Sequence, residues 1–137
     1  MFSKTNIITT IVTAIWGCAG GYLLWGILAA PYLSPHILIT ETMKETPDVF
    51  HLILGCLLQA FAFSTLYSRW ANGNFGIGSG VSFGIWIGIL IGLGGGLIDY
   101  ATSGITDIQG ILINFIVYLI FFGITGLLAG MIYRKMG

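Results

Sequence analysis

Four polar side chains lie within or at the ends of long apolar runs, and their types could support chemistry. They are His51, Gln59, Asp99 and Asn114. Polar groups inside a membrane usually face the interior of a helix bundle and often mark sites for solutes or protons. Simpler roles are also open: His51 and Asp99 as interfacial residues near water, Gln59 and Asn114 as hydrogen-bonding links between helices.

Motifs for catalysis or cofactor binding do not occur in the sequence. Within the long apolar runs no acid and base stand at helical spacing, and no serine–histidine arrangement is present. Cys18 and Cys56 form neither a CxxC motif nor a metal-ligand spacing, so we expect small buried apolar residues, with a disulfide between them as the alternative. The glycine-rich segment 76–80 lacks the lysine and hydroxyl of a phosphate loop. We therefore expect no enzyme, no cofactor and no metal site.

The composition indicates that lipid surrounds most of this chain. Of its 137 residues, 7% are charged and 56% are hydrophobic, whereas about 25% of residues are charged in a typical soluble domain. The net charge is zero, which gives no reason to expect nucleic acid as a partner.

Four apolar runs are long enough to cross a bilayer, which needs about 20 residues for a hydrocarbon core of roughly 30 Å. The predicted spans are residues 6–30, 49–67, 75–98 and 108–132, with an outer loop over residues 31–48. Thr106 and Gln109 have the spacing of a capping box for the last span. The predicted fold class is all-α, a single domain with four transmembrane helices in a bundle.

The charges divide between the two sides of such a bundle. One side carries Lys4, Arg69, Arg134 and Lys135. The other side carries Lys44 and all five acids, which are Glu41, Glu45, Asp48, Asp99 and Asp107. The positive-inside rule then predicts that both termini are cytoplasmic. The four polar candidates would fall at or outside the midplane, as a possible polar cluster open to the outside.

The third predicted span contains a glycine at every fourth position. This glycine row consists of Gly76, Gly80, Gly84, Gly88, Gly92 and Gly96. Each glycine costs a helix about 1 kcal/mol relative to alanine, so we expect close helix packing to offset the cost. On a regular helix a four-residue step overshoots one turn by about 40°. The row would therefore drift off any one straight neighbour, and we expect the third span to pack against two or more helices, at a bundle centre or across an oligomer interface.

The fourth span carries a row of its own with the same spacing. Its members are Gly110, Asn114, Tyr118, Phe122, Gly126 and Gly130. We expect Gly126 and Gly130 to join the glycine row in helix packing. Packing within one subunit and packing between identical subunits are both compatible with these rows.

Glycine and aromatic residues also form short motifs elsewhere in the chain. They are Gly20–Gly21–Tyr22 with Trp25–Gly26, Arg69–Trp70–Ala71, and the series Gly84, Gly88 and Gly92. A four-span chain with these motifs resembles small bacterial inner-membrane proteins whose chemistry is unassigned. The resemblance implies a multi-pass protein of the bacterial inner membrane, and it transfers no activity.

Three functions remain open on the sequence. The first, which we favour, is a non-catalytic accessory or self-assembling subunit that packs against itself or other membrane subunits. The second is an oligomeric transporter or channel for a small solute or ion, built around the polar cluster. The third is a module that binds a lipid, a quinone or a pigment among aromatic residues and glycines.

Overall fold

The computed structural model describes residues 3–36, 49–103 and 107–136. These residues contain helices and no strands, so the predicted all-α class is confirmed. Four helices are long and apolar enough to cross a membrane, as expected of a multi-pass membrane protein. They are span 1 (Lys4–Leu28), span 2 (Val49–Ala71), span 3 (Ile77–Thr102) and span 4 (Ile108–Met136).

Span 1 changes its helical geometry on the way across. It is α-helical over Lys4–Gly21 and π-helical over Tyr22–Leu28. A short α-helical turn, Ala30–Leu33, and a 3-10 turn, Ser34–His36, follow it. Pro31 lies in the first turn of the short helix, where a proline has no intrahelical hydrogen bond to break.

Span 3 has the same kind of irregularity. It consists of an α-helix over Ile77–Gly88, a π-helix over Ile89–Gly95 and an α-helix over Gly96–Thr102. A π-helix closes i→i+5 hydrogen bonds, so each of its turns holds more residues than an α-turn.

Spans 2 and 4 are α-helical throughout and extend past the apolar runs that predicted them. Span 2 continues to Ala71 and span 4 to Met136. Their added residues include Arg69 and Arg134, which are exposed. Hydropathy marks the hydrocarbon core, whereas a helix can continue through the headgroup layer, where such side chains reach water.

Span 4 lies at the centre of the bundle. It is the most buried span, it packs most extensively against span 3, and it also contacts spans 1 and 2. Span 2 packs mainly against span 1 and meets span 3 over a short stretch, where Phe63 and Tyr67 contact Phe83. The start of span 1 and the end of span 4 share one end of the bundle, here called the N/C end, and the opposite end is the far end.

Glycines allow the backbones of spans 3 and 4 to touch. A Cβ atom added to Gly80 or Gly84 would overlap the backbone carbonyl oxygen of Gly126 or Phe122, respectively. A Cβ atom on Gly126 would likewise overlap the carbonyl oxygen of Gly80. Only residues without a side chain can stand at these positions at this helix separation.

Beyond Gly84 the glycine row faces span 4 as far as Gly96. Added Cβ atoms at Gly88, Gly92 and Gly96 would lie 3.1, 2.9 and 3.0 Å from side-chain atoms of Leu119, Tyr118 and Ile111, respectively. The expectation that the row would drift off a single neighbour was therefore wrong. Span 3 does pack against two helices, since Phe83 also meets Phe63 and Tyr67 of span 2, but span 4 occupies the centre of the bundle. The alternative of an oligomer interface stays a prediction.

The π-helical segment of span 3 explains why the row does not drift. On an α-helix each four-residue step overshoots a full turn. In the segment Ile89–Gly95 the turns are wider, so the same step falls short of a turn and rotates the stripe back. Gly92 and Gly96 thus remain on the buried face with Gly80.

Hydrogen bonds between side chains join the spans near the N/C end. The Tyr67 hydroxyl lies 2.7 Å from the Ser79 hydroxyl, which links spans 2 and 3. The Ser64 and Tyr133 hydroxyls lie 3.0 Å apart and link spans 2 and 4. Spans 1 and 2 are linked where the Asn6 amide donates to the Thr65 hydroxyl at 3.0 Å. Each bond of this kind contributes about 0.6 kcal/mol in a membrane.

Alanine at Gly84 should destabilise the bundle, because its Cβ atom would force spans 3 and 4 apart. We expect a loss of about 1–3 kcal/mol in the free energy of unfolding, as for an overpacked core. Equilibrium unfolding in mixed micelles measures the difference.

Gly78 provides the matched control. It lies on the same helix, is exposed, and has no atom within 4 Å of its Cβ position. Gly78→Ala should leave stability unchanged or raise it by up to about 1 kcal/mol through helix propensity. Equal effects of the two substitutions would contradict the close backbone contact.

Candidate functional site

Two of the four predicted polar candidates line one cavity at the far end. Asp99 and Asn114 both border it, from span 3 and span 4 respectively. His51 and Gln59 do not, because they lie on span 2, which packs away from the far half of span 3. His51 is exposed near the start of span 2, and its ring lies edge-on to Phe50. Gln59 is exposed and borders a narrow crevice between spans 1, 2 and 4.

This far-end cavity has a volume of about 730 Å³ and lies between the far halves of spans 3 and 4. Its apolar walls include Leu90, Ile91, Ile98 and Ile111. Glycines at positions 92, 95 and 96 also line it, and they leave the space that side chains would otherwise fill. Its polar groups include Asp99, Asn114 and Tyr118.

Asn114 is fixed by a hydrogen bond from span 1. The Trp25 indole N–H donates to the Asn114 side-chain oxygen. An indole nitrogen can only donate, so the amide oxygen must face it, and the NH₂ group is left over. No other described residue bonds to this NH₂ group. Asn114 therefore keeps two unused donors beside the cavity.

Two aromatic rings and the close approach of Gly92 fix the position of Tyr118. Its ring meets the Trp25 ring edge-on, with 4.8 Å between centroids, and stacks on Phe122 at 5.9 Å. A Cβ atom on Gly92 would lie 2.9 Å from the Tyr118 Cβ. Trp25 and Gly92 belong to the two π-helical segments, so both irregular segments meet at this tyrosine. Segments of this kind occur frequently at functional sites.

Asp99 closes the cavity near the end of span 3 and is exposed. Its backbone carbonyl accepts bonds from the Ser103 N–H at 2.9 Å and the Ser103 hydroxyl at 2.8 Å. Within residues 3–36, 49–103 and 107–136, no side chain donates to its carboxylate. The carboxylate is therefore available to a bound molecule.

Tyr118 was missing from the residues predicted to form the polar cluster. Its place in the four-residue row with Asn114 was a usable signal, because both face span 3 at the level of the cavity. Trp25 entered the sequence analysis only as part of a glycine and aromatic motif. The sequence alone does not show which side chain its indole N–H would contact.

A second polar contact lies at the start of span 4. The His36 Nδ1 is 2.9 Å from the Asp107 carboxylate, and the Asp107 N–H donates to the His36 carbonyl at 3.0 Å. The other carboxylate oxygen accepts the Gly110 N–H at 2.8 Å. Asp107 thus caps span 4. The predicted capping box involves Thr106, which lies outside the described residues.

The two cysteines are free thiols. Cys18 and Cys56 are half-buried and both border an apolar groove of about 540 Å³ between spans 1 and 2. They are less buried than predicted, because the groove opens on one side of the span 1 and span 2 pair. The described part of the chain contains no group of three or more His, Cys, Asp or Glu residues arranged to hold a metal ion.

Comparison with protein-family models, curated proteins and solved structures finds no match for this chain. Its function must therefore be inferred from the geometry of the far-end cavity. That geometry presents donors, an acceptor and apolar walls, which are the features of a ligand-binding site.

The titration of Asp107 tests the contact with His36. The His36 imidazole, and after it the Gly110 N–H, hold the pKa of the Asp107 carboxyl below its ordinary value. A carboxyl with a lowered pKa stabilises the fold above its ordinary pKa, and this contribution disappears as the pH falls through the lowered value. We expect His36→Ala to raise the pKa of Asp107, measured from its carboxyl carbon shift by NMR.

Tyr32→Ala is the control for this titration, because Tyr32 is exposed on the same short segment. It should leave the midpoint of Asp107 unchanged. The same midpoint in wild type and His36→Ala would show that His36 does not act on Asp107.

Proposed function

We propose that this chain is a non-catalytic membrane protein that binds an amphipathic small molecule in the far-end cavity. The supporting observation is a cavity of about 730 Å³ with apolar walls and with polar side chains at its border, among them Asp99, Asn114 and Tyr118. Ligand sites typically have volumes of about 300–1,000 Å³, mostly apolar walls and a few polar groups that orient the ligand.

The position of the cavity supports an amphipathic ligand. Leu90 and Ile98 are exposed on the apolar span, whereas Thr102 and Ser103 are exposed at its far end. A molecule in the cavity would therefore touch both the hydrocarbon region and the interfacial region. An apolar body with a polar head matches these two surroundings.

Binding is favoured over conduction by the glycine contact toward the N/C end. There the backbones of spans 3 and 4 meet at Gly80, Gly84 and Gly126, which leaves no gap between these two helices. The described residues that line the cavity lie in the far half of span 3, at Ser103 just after it and in the facing part of span 4. This shape is that of a pocket with one end closed.

The proposed orientation places the N/C end in the cytoplasm of a bacterial cell. The described lysines and arginines, which are Lys4, Arg69, Arg134 and Lys135, are at the N/C end. The described acids, Asp99 and Asp107, are at the far end. This division supports cytoplasmic termini under the positive-inside rule, and the far-end cavity then faces the periplasmic side of the inner membrane.

Filling the cavity tests the proposed function. Gly95 lines the cavity, and its Cβ position is open apart from a carbonyl oxygen at 3.7 Å. Gly95→Leu should fill the space and reduce the retention of a small molecule by about tenfold or more, which corresponds to about 1.4 kcal/mol. Native mass spectrometry of protein extracted gently from its own membrane measures the bound adduct.

Gly94→Leu is the matched control, because Gly94 is in the same π-helical segment, is exposed and does not line the cavity. Retention by wild type and Gly94→Leu, with loss in Gly95→Leu, would support the site. No adduct on wild type, or equal retention by Gly95→Leu, would overturn it.

A second candidate function is self-assembly, through spans 1 and 2 and not through the glycine row. The supporting observation is the groove of about 540 Å³ beside Ala14, Cys18 and Ala19 of span 1 and Cys56 of span 2. Small residues let another helix approach closely in lipid, and span 2 is the least buried span. In this proposal a helix of a second copy occupies the groove.

A larger side chain in the groove should weaken this assembly. Ala19 is exposed and borders the groove, so Ala19→Phe should lower the dimer fraction in liposomes, measured by single-molecule photobleaching. Ala62 is exposed on span 2 and does not border the groove, so Ala62→Phe should have no effect. Wild-type protein that remains monomeric at every protein density would exclude self-assembly.

A further inference from the structure

We propose that the head group of the molecule in the far-end cavity is an ammonium, bound by the Asp99 carboxylate. This inference rests on the proposed function and adds the chemical class of the ligand. The shared chemistry is a cationic nitrogen on an apolar body, as in an aminophospholipid or in a free long-chain amine.

The first argument is the unused hydrogen-bonding capacity around the cavity. Among the described residues the Asp99 carboxylate has no side-chain donor, the Asn114 NH₂ group has no acceptor, and the Tyr118 hydroxyl has no partner. A ligand that uses both groups offers a donor to Asp99 and an acceptor to Asn114. An ammonium beside a phosphate or ester oxygen provides both, and the Tyr118 hydroxyl can donate or accept.

The second argument is charge. The charged side chains described at the far end are the acids Asp99 and Asp107, and the latter is already paired with His36. The described lysines and arginines are at the opposite end. An anionic head group would therefore meet a carboxylate with no described cation near it, whereas an ammonium would gain a charge-assisted hydrogen bond.

The third argument separates an amine from a quinone. The two carbonyl oxygens of a quinone could accept from Asn114 and Tyr118, but they offer no donor to Asp99. Asp99 and Tyr118 line the same cavity, so a head group seated between them would meet the carboxylate. A donor at this position is favoured, and a positively charged donor is favoured most.

The test compares lipids that differ only in the head group. Phosphatidylethanolamine and phosphatidylglycerol with identical acyl chains are added in equal amounts to the protein in maltoside micelles, and native mass spectrometry measures the ratio of the adducts. We expect wild type to prefer phosphatidylethanolamine by about tenfold, the scale of one charge-assisted hydrogen bond. Asp99→Asn should reduce this ratio to about one and retain phosphatidylglycerol at least as well as wild type does.

Asp107→Asn is the matched control for net charge. It removes one negative charge from the same end outside the cavity, and asparagine is an equally good helix cap. It should keep the wild-type ratio. A ratio near one in wild type, an unchanged ratio in Asp99→Asn, or an equal loss in Asp107→Asn would each overturn the ammonium assignment.

Two further comparisons complete the test. The first asks whether the ammonium belongs to a lipid or to a free amine, and the second distinguishes failure of the ammonium assignment from failure of the cavity as a binding site. Displacement of phosphatidylethanolamine by dodecylammonium but not by 1-dodecanol would support a free amine, and displacement by neither would support the lipid. Loss of both lipids in Gly95→Leu alone, with a ratio near one in wild type, would overturn the ammonium while keeping the cavity as a binding site. Equal lipid retention by Gly95→Leu and wild type would overturn the cavity itself.

Discussion

In a bilayer two helices gain nothing by hiding apolar side chains from water, because lipid tails are as apolar as leucine. Association must instead come from close packing and from weak contacts between backbones. Spans 3 and 4 achieve this where Gly80 and Gly84 meet the carbonyl oxygens of Gly126 and Phe122. Spans 1 and 2 contact span 4 more loosely, so the contact between spans 3 and 4 sets the position of the central helix.

The same two helices form the proposed binding site farther along, where they no longer touch backbone to backbone. Toward the far end the π-helical segment Ile89–Gly95 keeps the glycine row turned to span 4, and its wide turns place Leu90 and Ile91 beside an open space. The second π-helical segment places Trp25 against Asn114 and Tyr118. At the N/C end, hydrogen bonds join Tyr67 to Ser79 and Ser64 to Tyr133. The bundle is therefore closely packed at this end and contains a cavity at the other.

Much of the architecture was accessible from hydropathy, because four uninterrupted apolar runs leave few alternatives to four helices. The glycine row was visible as a pattern, but its neighbour was not, since the drift was calculated for a uniform α-helix. The sequence also did not show which spans pack together. His51 and Gln59 were grouped with Asp99 because they have comparable depths, but span 2 packs on span 1 and so holds both residues away from the cavity. Depth along the membrane can be read from a sequence, whereas position around the bundle depends on contacts distant in the chain.

The central claim is that the backbones of spans 3 and 4 touch at their glycines in a lipid bilayer. Proton-detected solid-state NMR of the protein in liposomes measures this directly through contacts between α-protons. The account predicts cross-peaks between Gly84 and Gly123 and between Gly80 and Gly130, whose α-carbons lie beside the added Cβ positions. It predicts none from Gly78 to span 4. The absence of both pairs, with the helices otherwise intact, would contradict the account.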